Sequence, residues 1–162
     1  MINAGSTTAS EVWIIGSAGS ELRSSAADDD EAAAAAPALF TIRAGAPRVV
    51  LLDLLLRSRV VVGGGELHVD NCTGVGGSFV VSGVEVTATD SHFVGDAIDL
   101  SAGGSLVYRL PAPLGYWINS LGQDHLTLQA GESYIDYPPK CSAGLYGNQT
   151  TTAAQSSPLC SG

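Results

Sequence analysis

A repeat of about nineteen residues is the feature of this sequence that most restricts its fold. Short apolar segments begin at Leu39, Val60, Phe79 and Ile98, so their starts are separated by 21, 19 and 19 residues. Each segment is followed by a glycine-containing turn and then by a second short segment. A unit of this size cannot bury a core alone, so the units must stack on their neighbours. The repeat therefore predicts a solenoid.

The second segment of each unit alternates apolar and polar residues, which is typical of a strand with one buried face. Leu67 and Val69 alternate with His68. A shift of nineteen residues lays 67–76 on 86–95 and matches Asn71 with Asp90. Strands this short and this regularly spaced predict a parallel β-helix, whose rungs stack at roughly 4.8 Å. An antiparallel sandwich with hairpins at the same glycines is the alternative fold.

The composition agrees with many short strands and turns, because 20 Gly and 7 Pro among 162 residues oppose long helices. The net charge of −9 argues against nucleic acid as a partner, since a protein binds phosphates with basic side chains. The most apolar run, 49–56, contains Asp53 and is shorter than the roughly 20 residues of a membrane-spanning helix. Residues 1–20 contain no recognisable secretory signal.

The sequence divides into four segments. Residues 1–38 hold a partial first coil with an Ala/Asp-rich low-complexity insert at 24–38, and residues 39–110 hold the β-helix coils. Residues 111–140 form a proline-rich junction with capping strands, and residues 141–162 begin a cysteine-containing module. We expect the insert to be a solvated loop. A calcium site in the acidic run 28–31 is the alternative, although the run lacks the spaced ligands of a calcium loop.

The aromatic pair Tyr116 and Trp117 follows a segment, 110–115, in which two prolines interrupt the strand pattern. An exposed rung is a template for aggregation, so we expect these rings to cover the open end of the stack. A site at which sugars stack on the rings is the alternative interpretation.

The stretch 39–110 resembles the right-handed parallel β-helix (pectin-lyase-like) repeat of large surface proteins. The resemblance rests on 46–58, 65–73 and 84–93, which are similar to coils of the form strand, Asn-Cys-Thr-Phe, Gly. Gly74 departs from this pattern because it stands where the aromatic residue is expected. The expected fold is therefore all-β, a right-handed parallel β-helix of about four to five short coils with a small irregular C-terminal segment.

The C-terminal segment is similar to the start of the ephrin-receptor-like cysteine-rich modules of extracellular proteins, with Cys-Ser-Ala-Gly-Leu-Tyr-Gly-Asn at 141–148 and Ser-Pro-Leu-Cys at 157–160. This resemblance implies a disulfide framework that includes Cys141 and Cys160, and an extracellular or cell-surface location. Two unpaired thiols are the alternative. We interpret Cys72 as a small buried residue at a turn.

Two glycosylation triplets begin at Asn148 and Asn71. Asn148 is the better candidate because it lies in a glycine-flanked loop, whereas Asn71 is expected in the ladder of the repeat. Three histidines, His68, His92 and His125, lack the spacing of metal ligands, and we expect no metal ion and no cofactor.

A pectin-lyase-like fold also raises the question of carbohydrate chemistry. The residues that could contact a carbohydrate are Glu66, Glu85, Asp90, Tyr116 and Trp117. The spacing of Glu66 and Glu85 predicts that they stack on one outer face. A β-helix enzyme also needs basic side chains beside its carboxylates, and the chain between Arg59 and Arg109 contains no Lys or Arg. No catalytic residues are therefore assigned.

We expect a structural or adhesive β-helix segment of a secreted or cell-surface protein, without catalysis. Its expected partners are neighbouring domains of a longer chain, together with glycans or other surface proteins as candidates. A carbohydrate-binding or polysaccharide-cleaving β-helix is the alternative function.

Overall fold

The computed structural model describes residues 11–17, 20–22, 38–77, 79–95, 97–119, 123–129, 136–142 and 160. Over these residues the chain forms strands and no helix, and the strands wind into a β-solenoid of about four turns. The acidic run 28–31, the glycosylation candidate Asn148 and nearly all of the insert 24–38 lie outside the described residues.

Four coils of three strands each build the stack. In chain order these strands are β1 (Glu11–Ile15), β2 (Glu21–Leu22), β3 (Phe40–Ile42), β4 (Arg48–Leu52), β5 (Leu55–Leu56), β6 (Val60–Val62), β7 (Leu67–Asp70), β8 (Thr73–Val75), β9 (Phe79–Ser82), β10 (Glu85–Thr89), β11 (His92–Val94) and β12 (Ile98–Ala102). The strands that follow are β13 (Ser105–Arg109), β14 (His125–Gln129) and β15 (Asp136–Tyr137).

Equivalent strands of successive coils pair into three sheets. Sheet A has the order β1-β4-β7-β10-β13-β14, sheet B has the order β15-β11-β8-β5-β2, and sheet C has the order β12-β9-β6-β3. The pairing from coil to coil is parallel in all three sheets. The predicted parallel β-helix is therefore confirmed, and the antiparallel sandwich is wrong.

The hydrophobic core runs along the inside of the coils. Leu51, Val69 and Ala88 occupy successive register positions in sheet A, and the side chain of each is 0% exposed. Burying an aliphatic side chain of this kind stabilises a fold by about 1.5–3 kcal/mol. Stacking is what makes this burial possible, because each rung covers the apolar side chains of the rung before it.

The strand direction reverses at the C-terminal end of the stack. β14 pairs antiparallel with β13, and β15 pairs antiparallel with β11. Leu128 on β14 and Tyr137 on β15 are both buried against the core. These two strands thus occupy the places of a following coil in sheets A and B.

Cys141 and Cys160 form a disulfide with a Cα–Cα distance of 5.9 Å. The alternative of two unpaired thiols is therefore wrong. Cys72 is a buried free thiol, in agreement with its interpretation as a small buried residue at a turn.

Candidate functional site

A ladder of polar residues lies in the turn that leads from sheet A to sheet B. Asp53, Asn71 and Asp90 each come directly after a sheet A strand and occupy equivalent register positions in three coils. Their φ angles are 59°, 47° and 46°, in the left-handed region that Asn and Asp enter more readily than other side chains. The Asn71 Nδ2 atom donates a hydrogen bond of 2.6 Å to Asp53 Oδ1. We call these three residues the polar ladder.

An open groove lies beside the polar ladder on the outer side of sheet B. It has a volume of about 510 Å³, and the residues that line it are Asp53, Leu54, Leu55, Asn71 and Thr73. The groove therefore combines apolar side chains with a carboxylate, an amide and a hydroxyl group. Small-molecule sites commonly have this mixture of an apolar wall and a few oriented polar groups.

The outer face of sheet B continues from this groove towards the C-terminal end. Leu55, Thr73 and His92 occupy successive register positions in β5, β8 and β11. The ring of Tyr116 packs on the ring of His92, with the two centroids 4.3 Å apart. The groove and the aromatic pair thus lie along one row of side chains.

The two glutamates of the sequence-based carbohydrate set lie on a different face. Glu85 begins β10, and its register places it beside Glu66 on the outer side of sheet A. Arg48 stands next to Glu66 in the same row, with its Nε atom 4.0 Å from Glu66 Oε2 and its Nη1 atom 2.9 Å from Glu11 Oε1. Arg48 lies before the stretch between Arg59 and Arg109 that contains no basic residue, and the stacking of β4 on β7 brings it to this position.

The other candidates of that set are distant from the glutamates. Asp90 follows the far end of β10, and five residues at about 3.3 Å each separate it from Glu85 by roughly 16 Å. Tyr116 lies over sheet B on His92, and the Trp117 amide donates to the Pro139 carbonyl at 3.1 Å. The structure therefore brings Glu66 and Glu85 together and leaves the remaining three elsewhere.

Partial burial lowers the pKa of His68 and of His92 below the usual value of 6.5. The His68 ring lies on sheet A, where its Nδ1 atom is 2.8 Å from Thr87 Oγ1. For His92 the carboxylate of Asp136 opposes this lowering, and the ammonium group of Lys140 adds to it. Both rings are therefore mainly neutral at pH 7 and carry no positive charge towards a ligand.

His125 begins β14, the last strand of sheet A, and β10 and β13 separate it from β7, which leads into the groove. Its Nδ1 atom is 2.8 Å from Asp124 Oδ1, and this hydrogen bond lowers the pKa of Asp124. Among the residues that the structure describes, no three His, Cys, Asp or Glu side chains are arranged to hold a metal ion.

A buried polar network holds the turn behind the polar ladder, at the equivalent positions Cys72 and Ser91 where the repeat allows hydrogen bonds from coil to coil. The Cys72 amide donates to Ser91 Oγ at 3.1 Å, and Ser91 Oγ donates to the Thr89 carbonyl at 2.8 Å. Burial raises the pKa of the Cys72 thiol to about 11, and its Sγ atom points to the Asp70 carbonyl at 3.2 Å. A thiol with so high a pKa is not a nucleophile at neutral pH, so this network is structural.

Comparisons with protein-family models, with curated proteins and with solved structures found no match for this chain. The resemblances to pectin-lyase-like and ephrin-receptor-like proteins therefore rest on the quoted sequence segments, and the fold that the structure supports is a β-solenoid. Within the described ranges, no helix combines the length and the apolar character needed to cross a membrane.

Proposed function

We propose that the chain is a structural or adhesive β-helix segment of a secreted or cell-surface protein. The observation that carries this proposal is the core that continues through successive coils, with Leu51, Val69 and Ala88 fully buried at consecutive register positions. Parallel pairing in three sheets surrounds this core. Such a column is rigid along its length and can hold neighbouring domains or binding surfaces at a fixed spacing.

The disulfide between Cys141 and Cys160 supports the secreted or cell-surface part of the proposal. Disulfides persist in oxidising compartments and are rare where cellular thiols keep proteins reduced. Mass spectrometry after alkylation in denaturant tests this on protein from its natural source. Without reductant, we expect one alkylated cysteine, Cys72, and with reductant we expect three. Three alkylated cysteines without reductant would contradict the proposed location.

A polysaccharide turnover assay tests the absence of catalysis. We expect no release of reducing ends from neutral or acidic polysaccharides, because the Glu66 side chain beside Arg48 is 78% exposed on an open strand face and Glu11 already holds that arginine at 2.9 Å. Turnover that survives purification to constant specific activity, and that is lost in Glu66→Gln or Glu85→Gln, would contradict the structural role.

Binding of a carbohydrate without cleavage is the second candidate function, and the groove beside the polar ladder favours it. The groove presents Asp53, Asn71 and Thr73 as hydrogen-bonding groups beside the apolar Leu55. Its carboxylate and the net charge of −9 favour a neutral glycan over a uronic-acid polymer, because like charges repel.

A glycan array followed by titration of the bound glycan tests this second function. Asn71→Ala combined with Thr73→Val removes two polar groups of the groove, and we expect a loss of binding of at least about tenfold. Glu66→Gln is the control, since Glu66 lies on sheet A outside the groove. If the control loses glycan binding and the groove variant keeps it, the binding site lies on sheet A.

A further inference from the structure

Among the residues that the structure describes, strands cover the core of the solenoid at its C-terminal end, and none covers it at the first coil. Six inward-facing residues occupy successive register positions in the strands of sheet A. Their exposed fractions rise towards the first coil, from Leu128 1%, Leu106 2%, Val86 2% and Leu67 2% to Val49 9% and Val12 39%. Val12 therefore points into the core column, and no described strand covers it on the side away from Val49.

β1 is the edge strand at this open end of sheet A. Within the described part of the chain no strand pairs with its free side. Two of its three outward-facing side chains are apolar as well, with Trp13 54% and Ile15 62% exposed, and Glu11 is the third. An edge strand with apolar side chains on both faces is a template for pairing with another strand.

We propose that a second copy of this chain pairs with this edge, β1 against β1, in an antiparallel arrangement with a two-fold axis at Trp13. In this register the three central residues of β1 face apolar residues of the other copy. Val12 of each copy lies opposite Ile14 of the other, which joins the two cores across the interface. The two Trp13 side chains form a cross-strand aromatic pair on the outer face, a type of pair that stabilises sheets.

The charges of β1 are compatible with this pairing. Glu11 lies opposite Ile15 of the other copy, so the two Glu11 carboxylates do not face each other. Arg48 holds Glu11 Oε1 at 2.9 Å, and the Trp13 indole nitrogen donates to Glu11 Oε2 at 2.8 Å. The net charge of −9 on each copy opposes association, so salt strengthens the dimer by screening it.

Association through this end stops at two copies. The interface is the same surface on both chains, and such an isologous contact closes on itself. At the other end of sheet A, the antiparallel strand β14 occupies the place of a further rung.

Light scattering coupled to gel filtration, performed on the full disulfide-bonded chain over a range of concentrations, tests the dimer. We expect a mass of twice the 16.5 kDa of one chain, with tighter association at high salt. Trp13→Lys places two cations opposite each other and Ile15→Glu places a carboxylate opposite Glu11 of the other copy, and we expect each to raise the dissociation constant at least about tenfold. Leu114→Lys is the matched control, because Leu114 is a 71% exposed apolar side chain in the C-terminal junction.

Quenching of tryptophan fluorescence by iodide gives a second measurement. In a Trp117→Phe background the signal comes from Trp13 alone, and we expect its quenching to fall as the dimer forms. A monomer at every concentration, or a dimer that both β1 variants leave unchanged, would overturn the proposal. A monomer in which Trp13 is already protected from iodide would also overturn the proposal, because another part of the same chain would then cover the edge of β1.

Discussion

The hydroxyl group of Tyr108 bonds to both backbone groups of Ser91. The Ser91 amide donates to Tyr108 Oη at 2.8 Å, and the same hydroxyl donates to the Ser91 carbonyl. One coil earlier, the equivalent residue Cys72 donates its amide to Ser91 Oγ, and its carbonyl accepts from the His92 amide at 2.9 Å. A single inward-facing side chain on β13 thus provides Ser91 with the partners that a following coil would supply.

Replacement of Tyr108 by Phe removes the hydroxyl group, and the buried amide and carbonyl groups of Ser91 lose their hydrogen bonds to it. We expect the free energy of unfolding to fall by about 1–3 kcal/mol, the usual effect of leaving buried polar groups unsatisfied. Urea unfolding followed by circular dichroism measures the change. Tyr116→Phe is the matched control, since the Tyr116 hydroxyl makes no hydrogen bond to any other described residue and its loss should change stability little. Equal stabilities of the two variants would refute the capping role.

Alkaline pH should destabilise the fold through the same tyrosine. Burial raises the pKa of Tyr108 well above its usual value of 10.0. The folded chain therefore keeps the proton at a pH where the unfolded chain releases it. The stabilisation is fully present below about pH 10 and is lost as the pH rises further, by up to about 1.4 kcal/mol per pH unit. We expect the unfolding free energy to fall less steeply above pH 10 in Tyr108→Phe than in Tyr116→Phe, which also has one tyrosine fewer.

Replacement of Gly74 by Ala should destabilise the core, because Phe93 of the next coil fills the space beside this glycine. A Cβ atom at position 74 would lie 2.9 Å from Phe93 Cδ1 and 3.4 Å from Phe79 Cε2. These two rings meet edge to face, with centroids 5.6 Å apart, so neither moves freely. We expect a loss of about 1–3 kcal/mol in urea unfolding, as for other overpacked cores.

The control for this substitution is Gly63→Ala, at a position where an added Cβ meets no atom within 4 Å. This variant should be neutral or slightly stabilising, because Ala restricts the unfolded chain more than Gly does. A Gly74→Ala protein as stable as the control would show that the Phe93 ring adapts without cost.

Replacement of Asn71 by Asp should weaken the polar ladder. The substitution removes the donor to Asp53 Oδ1 and places a third carboxylate between Asp53 and Asp90. We expect a loss of about 1 kcal/mol at pH 7 that high salt reduces, since the site is exposed to solvent. Asn119→Asp makes the same chemical change at another exposed position and serves as control.

The exchange of the two side chains provides a stricter test of the ladder. Asp53→Asn combined with Asn71→Asp restores one donor and one acceptor, and Asn accepts the left-handed conformation at position 53. We expect the double variant to recover part of the stability that Asn71→Asp loses. No recovery would mean that the hydrogen bond between these side chains does not contribute to the fold.

The register of the coils explains which contacts between residues of different coils are predictable from the sequence. The pair His68 and Thr87 is separated by 19 residues, and Asn71 and Asp53 are separated by 18. The separation of Arg48 and Glu11 is 37, because the chain between them includes the insert. A shift of one residue in a strand moves its side chains to the opposite face. Neighbours separated by the regular repeat were therefore predictable, and Arg48 beside Glu66 is one of them, whereas the position of Arg48 beside Glu11 was not.

The coils follow from local sequence patterns, because the alternation of apolar and polar residues and the glycine turns act within short segments. These local patterns place Leu67 and Val69 inward and make Asn71 equivalent to Asp90. The way in which the column of coils ends, and the side chains that lie beside its turns, depend on the tertiary structure. The reversal of β14 and the double hydrogen bond of Tyr108 arise because the last coil must satisfy its backbone groups without a following rung. That requirement depends on stacking in three dimensions, and no repeat in the sequence encodes it.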